Sequence, residues 1–254
     1  MFDGVLGQSI LGRAREEGRV DVRTADIRDF SEDAHRTVDD YPYGGGAGMV
    51  LKPEPLVKAL EWARRELPER AHAVLTCAQG RPYNQALARA WAQKSGLILV
   101  CGHYEGIDER VRDWVDEEVS LGDFVMTGGE IAAMAMIDSV VRLIPGVLGH
   151  ADSASYDSFS FGLLEGPQYT RPQEFRGREV PQELLSGDHQ RVRQWRRKEA
   201  LRRTYLQRPD LLSRAVLSYE DRRLLEEIEQ CEQGGRTSEP TKDSRKRADE
   251  TGRA

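Results

Sequence analysis

Cysteine is scarce in this chain. The 254 residues hold three, Cys77, Cys101 and Cys231, set far apart. An odd number so placed builds neither a disulfide framework nor a C-x-x-C zinc site, and it fits a reducing, cytoplasmic setting. Long apolar runs are also lacking. The longest is Ile131 to Ile137, seven residues, against about 18 for a membrane span. No membrane partner is therefore expected. The N-terminus has no basic-then-apolar order of a signal peptide. A globally basic coat is excluded, because 37 Lys plus Arg face 43 Asp plus Glu, a net charge of −6. No Gly-Lys-Ser/Thr ends the glycine-rich stretch, so a nucleotide-triphosphate loop is out. No G-x-G-x-x-G follows a strand, which makes a nicotinamide dehydrogenase remote. There is no internal repeat.

What remains is enough chain for one large domain or two small ones, with a core that needs no cross-link. Its charge is uneven. Arg171 to Ala215 carries 12 basic and 6 acidic residues, a net of +6, which leaves −12 on the rest. A basic segment on an acidic body suits an anionic partner, although a solvated helical surface is equally compatible with charge alone.

Residues 20 to 24 (VDVRT), 72 to 77 (HAVLTC) and 97 to 101 (LILVC) read as short strands, rich in Val, Leu and Ile. Between them Pro53 to Leu67 and Tyr83 to Gln93 place apolar residues on one helical face. Ile131 to Ile144 is apolar nearly all round, as a buried helix is, and Pro145-Gly146 ends it. Strands alternating with helices imply a mostly parallel α/β sheet. Leu148 to Pro172 holds no period and reads as a linker or functional loop. Only helices are expected after it. Asp188 caps one running to about Gln207, and Ser218 caps another, with Asp221 at its third position, through Glu229. Glu232 to Ala254 has two apolar residues, both Ala, and is expected to be a disordered tail. The domains expected are 1–148, a linker 149–156, a helical domain 157–231 and the tail 232–254.

Four segments look chemical. Tyr43 to Met49 holds four glycines in five positions, which lets backbone approach a ligand closely, as any flexible loop would also allow. Cys101 to Arg110 follows a strand, at the end where parallel sheets bind ligands. There Glu105 and Asp108 could act as acid, base or cation ligand, unless Asp108 only caps a helix and Arg110 pairs with it. His103 lacks a second metal ligand at suitable spacing. Leu121 to Glu130 has glycine turns around a short apolar stretch, with backbone amides suited to a polar small molecule. The last segment is the linker with Ser153 and Asp157, together with Arg142 upstream. A helical pair of Arg142 with Asp138 and a turn role for Asp157 are the plain alternatives.

Together these segments resemble the bacterial tRNA (guanine-N1)-methyltransferases, which modify nucleotide 37, next to the anticodon. The matching pieces are HRTVDDYPYGGGAGM, LILVCGHYEGIDERV, SLGDFVMTGGE, IDSVVRLIPGVLGH, DSFSFGLLEGPQYTRP and VPQELLSGDH with RVRQWRR, in that order, over Arg36 to Arg197. The resemblance implies a SPOUT-type α/β fold with a parallel sheet and a deep trefoil knot. It also implies a homodimer, S-adenosyl-L-methionine as methyl donor, and tRNA as partner. It puts the cofactor pocket at Leu75, Thr76, Cys77, Gly80, Gly102, Leu121, Gly122, Asp123, Phe124, Val125 and Met126, closed by Gly128 and Gly129. It puts Gly48, Tyr104, Glu105, Arg142, Ser153 and Asp157 around the guanine, with Asp157 as general base and Arg142 stabilising O6. The resemblance leaves room for a Mg²⁺ near Glu105 and Asp157. Arg193, Arg196 and Arg197, in the basic helix, are expected on tRNA phosphates. Relatives begin with an extra strand before the position of Met1-Phe2, so the first strand is expected to be missing here. Two other readings are a ribose 2′-O-methyltransferase sharing the knot and a catalytically silent RNA-binding protein.

Overall fold

The computed structural model describes residues 1–67, 71–149 and 157–236. It divides into two compact units, Met1–Ala154 and Ser155–Ala254.

In the first unit, helices α1 (Phe2–Leu6) and α2 (Ser9–Glu16) are followed by a 3-10 turn, Ile27–Phe30. A two-residue ladder joins β1 (Asp39–Asp40) to β2 (Val50–Leu51), antiparallel. Next come α3 (Pro53–Glu66), β3 (His72–Pro82), α4 (Gln85–Ala92) and β4 (Leu97–Cys101). A second 3-10 turn (Glu109–Trp114), β5 (Glu117–Ser120) and α5 (Glu130–Val141) complete the unit. The main sheet is parallel, in the order β4-β3-β5. Alternation along β3 explains why both of its faces are covered. Ala73 and Leu75 pack with Leu56, Leu60, Val100 and Val111, under α3. Val74 points the other way, against Leu87, Trp91 and Val119 and the α5 residues Ala132, Met136 and Val140.

Helix boundaries follow local chemistry. Pro53 opens α3, where its missing N–H costs nothing. The Asn84 side chain accepts from Leu87 N at 3.0 Å and caps α4. α5 has no side-chain cap; it begins after Gly129, whose N–H donates to Gly102 O at 2.8 Å.

In the second unit, β6 (Glu174–Phe175) and β7 (Arg178–Glu179) form an antiparallel hairpin. Four helices follow: α6 (Gln182–Leu185), α7 (His189–Gln207), α8 (Pro209–Leu212) and α9 (Tyr219–Arg236). Their core is Leu163, Leu201 and Ile228. Asp188 caps α7, accepting from Gln190 N at 2.8 Å and Arg191 N at 3.1 Å. Ser218 and Asp221 form a reciprocal capping box at the start of α9, with Ser218 N to Asp221 Oδ2 at 2.9 Å and Asp221 N to Ser218 Oγ at 3.1 Å.

Three expectations need correction. Residues 20 to 24 make no ladder. Val20 and Val22 pack on the cluster of Leu6, Leu11, Ala14 and Val141, so this apolar stretch is extended chain laid on helices. The region after the linker is not purely helical, because the β6–β7 hairpin turns through Arg176 and Gly177, both at positive φ. Residues 232 to 236 continue α9, and Glu232 Oε1 accepts from Arg202 Nε at 2.9 Å. Residues 237–254 lie outside the described residues.

Candidate active site at the strand ends

The carboxyl ends of β3 and β4 and the segment before α5 come together tightly. Thr76 is buried, and its Oγ1 donates to Val100 O at 3.0 Å, tying β3 to β4. Gly129 lies against both strand ends. A Cβ there would sit 2.2 Å from Thr76 Oγ1 and 2.8 Å from Cys101 Cα. His103 and Gly128 form an antiparallel bridge beside it. These glycines are packing requirements of the fold.

β3 is one strand across the segment expected as a cofactor loop, but residues 77–80 are looped out. Both Thr76 and Arg81 pair with Val119, so the register jumps between them. Gly80 makes this possible, since a Cβ there would lie 2.3 Å from Val119 N. Cys77 sits in the bulge, and its thiol donates to Glu118 Oε2 at 3.2 Å. Glu118 also pairs with Arg112. Burial, with Glu118 beside it, raises the Cys77 pKa. Burial and the charge of Glu130 push Cys101 up to about 12. Both thiols are therefore held protonated, which suits packing and not nucleophilic attack.

Gly102 is different. A Cβ there would meet nothing closer than 3.8 Å, from Ile107 Cγ2 and Thr76 O. The chain's own packing therefore tolerates a side chain here, since the added atom would make only ordinary van der Waals contact. The segment 121–126 leads into Gly128 and Gly129. Leu121 and Met126 pack on the core, while Phe124 and Val125 are exposed. Ser120 Oγ and Gly122 hold its first turn through bonds of 3.1 and 3.2 Å. The N–H groups of Asp123, Val125 and Met126 meet no acceptor among the described residues. Backbone donors beside exposed apolar side chains fit a small polar cofactor carrying acceptor atoms.

A second cluster forms where 48–51 pairs with 105–108. Glu105 N donates to Met49 O at 3.1 Å, Leu51 N to Gly106 O at 3.0 Å and Asp108 N to Leu51 O at 3.0 Å. Gly48 has φ +79°, and a Cβ there would overlap Glu105 Cγ at 2.4 Å, so Glu105 lies across the glycine. Tyr104 is held at φ +60°, its ring edge-on to His103 at 4.9 Å and its hydroxyl accepting from Arg28 Nη2 at 3.3 Å. A left-handed, partly exposed tyrosine is the kind of local strain found at ligand sites. Asp108 takes the plain role: it caps the following turn through Arg110 N at 3.0 Å and pairs with the Arg110 guanidinium at 2.8 Å.

The remaining candidates lie on other elements. Arg142 closes α5, at the end away from Gly129, about 20 Å along the helix axis at 1.5 Å per residue. Asp157 belongs to the second unit, where its carbonyl accepts from Ser160 N at 3.1 Å and its Oδ2 is shielded from solvent. Ser153 lies outside the described residues. No group of three or more His, Cys, Asp or Glu converges on a metal-sized site among the described residues.

On α7, Arg193 and Arg196 are exposed, but their neighbours are engaged. Arg197 is bound to Asp221, Lys198 to Glu227 at 3.0 Å and Arg202 to Glu232. Sequence spacing showed the cations and not their acidic partners on α9.

The family model described as tRNA (Guanine-1)-methyltransferase TrmD matches residues 1–214. A tRNA (guanine-N(1)-)-methyltransferase of Brevibacillus brevis is 57% identical over 231 residues, covering 91% of this chain and 94% of that protein. One from an Anaeromyxobacter species is 58% identical over 228 residues, covering 89% and 92%. One from Dictyoglomus turgidum is 54% identical over 228 residues, covering 90% and 92%. A match of this extent, on a chain whose glycines gather at the ends of a parallel sheet, shows that it belongs to the tRNA (Guanine-1)-methyltransferase TrmD family.

Proposed function

We propose that this protein transfers a methyl group from S-adenosyl-L-methionine to N1 of guanosine 37 of tRNA. The observation that carries the reading is the gathering of Gly102, Gly128 and Gly129 at the ends of β3 and β4, in a chain whose relatives are named tRNA (guanine-N(1)-)-methyltransferases.

The cofactor would be held by Leu75, Thr76, Cys77 and Gly80 of β3, by Gly102, by Leu121 to Met126, and by Gly128 and Gly129. The tolerance of Gly102 for added volume, and the N–H groups of Asp123, Val125 and Met126 that meet no acceptor among the described residues, support this assignment. When bound, S-adenosyl-L-methionine supplies a methyl group activated by its sulfonium charge. A SPOUT trefoil knot accords with the contacts of Gly128 and Gly129 on His103 and Gly102, after β4.

The chain's task is to make guanine N1 nucleophilic. N1 carries a proton at neutral pH, and its loss puts negative charge on O6. Asp157 would accept that proton, and the Arg142 guanidinium would hold the charge on O6. A carboxylate with one oxygen shielded from water is suited to a base in a closed site. Glu105, Tyr104, Gly48 and Ser153 would line the guanine, with Gly48 letting Glu105 lie flat.

The enzyme is proposed to work as a homodimer with shared sites. Support comes from the length of α5, which separates Arg142 from Gly129 within one chain. Exposed Phe124, Val125 and Ile131 beside the start of α5 provide an apolar face for a second copy. Arg193 and Arg196 would meet tRNA phosphates.

The test is methyl transfer to two tRNA transcripts, one with guanosine at position 37 and one without, followed by nucleoside analysis. N1-methylguanosine only from the first transcript is expected. A ribose-methylated product, or equal transfer to both, would overturn the assignment.

A further inference from the structure

The second unit carries a groove of about 570 Å³ between the turn at Ser160 to Gly162 and the segment Arg214 to Val216. Its size is that of small-ligand sites. The turn is rigid. Leu163 is buried in the core, Phe159 N donates to Leu163 O at 2.7 Å, and Leu164 N to Thr204 Oγ1 at 2.9 Å. Gly162, at φ +74°, lets the turn close to within van der Waals distance of Ala215. On this fixed base Phe161 is 60% exposed and Val216 93% exposed. Neither side chain serves the core.

Charge selects the occupant. Two arginines line the groove, but Arg197 is neutralised by the buried Asp221. Arg214 is exposed and joins no ion pair among the described residues. An aromatic face, an apolar edge and an exposed guanidinium, whose acidic neighbour Asp210 is already paired with Arg208, match a base attached to a singly charged phosphodiester. A purely apolar peptide would bury Arg214 unpaired, which is costly.

We propose that this groove takes one unstacked nucleotide of the tRNA, with its base against Phe161 and Val216 and its phosphate at Arg214. The proposal deepens the tRNA methyltransferase reading and rests on it for the identity of the RNA.

The experiment uses the full-length protein and a tRNA transcript. Phe161→Ala should weaken tRNA binding about 5- to 100-fold, the range that loss of one base–aromatic stack gives. Phe161→Tyr, which keeps the ring, should bind as the wild type does. Arg214→Ala should lower the salt slope of binding by about 0.7 to 0.9. A photoreactive benzophenone side chain placed at Phe161 should cross-link to a single nucleotide. Wild-type affinity in Phe161→Ala, or cross-links scattered along the RNA, would overturn the proposal. If Phe161→Ala melts lower than the wild type, the cross-link decides. Wild-type protein that binds tRNA through this groove but forms no N1-methylguanosine would sink the enzymatic reading and leave the groove standing. Normal methylation with unaltered binding in all the groove variants would do the reverse.

Discussion

Arg197 and Asp221, on helices α7 and α9, meet through two parallel hydrogen bonds, Nε to Oδ1 at 2.6 Å and Nη2 to Oδ2 at 2.8 Å. Asp221 is only 5% exposed and also accepts from Ser218 N. The guanidinium, ahead of the Ser218 bonds, lowers the Asp221 pKa from 3.8 to about 2. A carboxylate depressed on folding stabilises the native state above its unfolded pKa. That contribution fades as pH falls through the folded value, here between about pH 4 and pH 2. The shift corresponds to about 2 kcal/mol at neutral pH. Asp221→Asn should therefore melt several degrees below wild type at pH 7, and the gap should narrow toward pH 2. Equal melting temperatures at pH 7 would show that the pair contributes nothing.

The same pairing separates the cations of α7 into two groups. Arg193 and Arg196 are exposed, whereas Arg197 ties two helices together. Replacing Arg193 and Arg196 by Ala should lower the salt slope of tRNA binding by about 1.4 to 1.8, with no fall in melting temperature. Arg197→Ala should lower the melting temperature, because it strands a buried carboxylate. An unchanged slope in the double variant would remove this face from the RNA contact.

The sequence carried much of this arrangement, and its silences have physical causes. β3 and β4 were legible because strands covered on both faces read as short Val/Leu/Ile runs. β5 reads Glu-Glu-Val-Ser and hides, since its carboxylates find their partners only in the fold: His72 at 2.9 Å and Arg81 for Glu117, Arg112 for Glu118. Residues 20 to 24 have a strand's composition but lie on helices, so composition misleads there. The turn at Arg176-Gly177 was readable as a hairpin signal, but strands of two residues carry no period. The glycine loops were visible as motifs. Which glycine is demanded by packing, as Gly129 is, and which tolerates a side chain, as Gly102 does, depends on the partner strand.

Asp157→Asn tests the proposed base. Amide for carboxylate keeps shape and removes the ability to take the N1 proton. Turnover at saturating substrates should fall about 10²- to 10⁴-fold. Binding of S-adenosyl-L-methionine, followed by calorimetry, should stay near wild type, because the residues assigned to the cofactor lie in the first unit. Turnover within a few-fold of wild type would refute the role. Equal losses of turnover and cofactor binding would point to a disturbed fold instead.

Gly102 and Gly129 sit side by side, with Gly129 N donating to Gly102 O, yet they should respond oppositely to one added methyl group. At Gly129 a Cβ would run into Thr76 Oγ1 at 2.2 Å and the Cys101 and Gly102 backbone at 2.8 and 3.0 Å. Two strand ends and the start of α5 would have to separate, and overpacking of this kind costs about 1–3 kcal/mol or more. Gly129→Ala should therefore lower the melting temperature of the cofactor-free protein. At Gly102 the nearest atoms are 3.8 Å away, an ordinary van der Waals contact, and φ is not in the left-handed region. Gly102→Ala should fold with wild-type stability. If the space beside it is the cofactor pocket, the new methyl group occupies ligand volume, and affinity for S-adenosyl-L-methionine should drop by about tenfold or more. Calorimetric titration and thermal melts of both variants check the pair. Full cofactor affinity in Gly102→Ala would mean that the cofactor lies elsewhere.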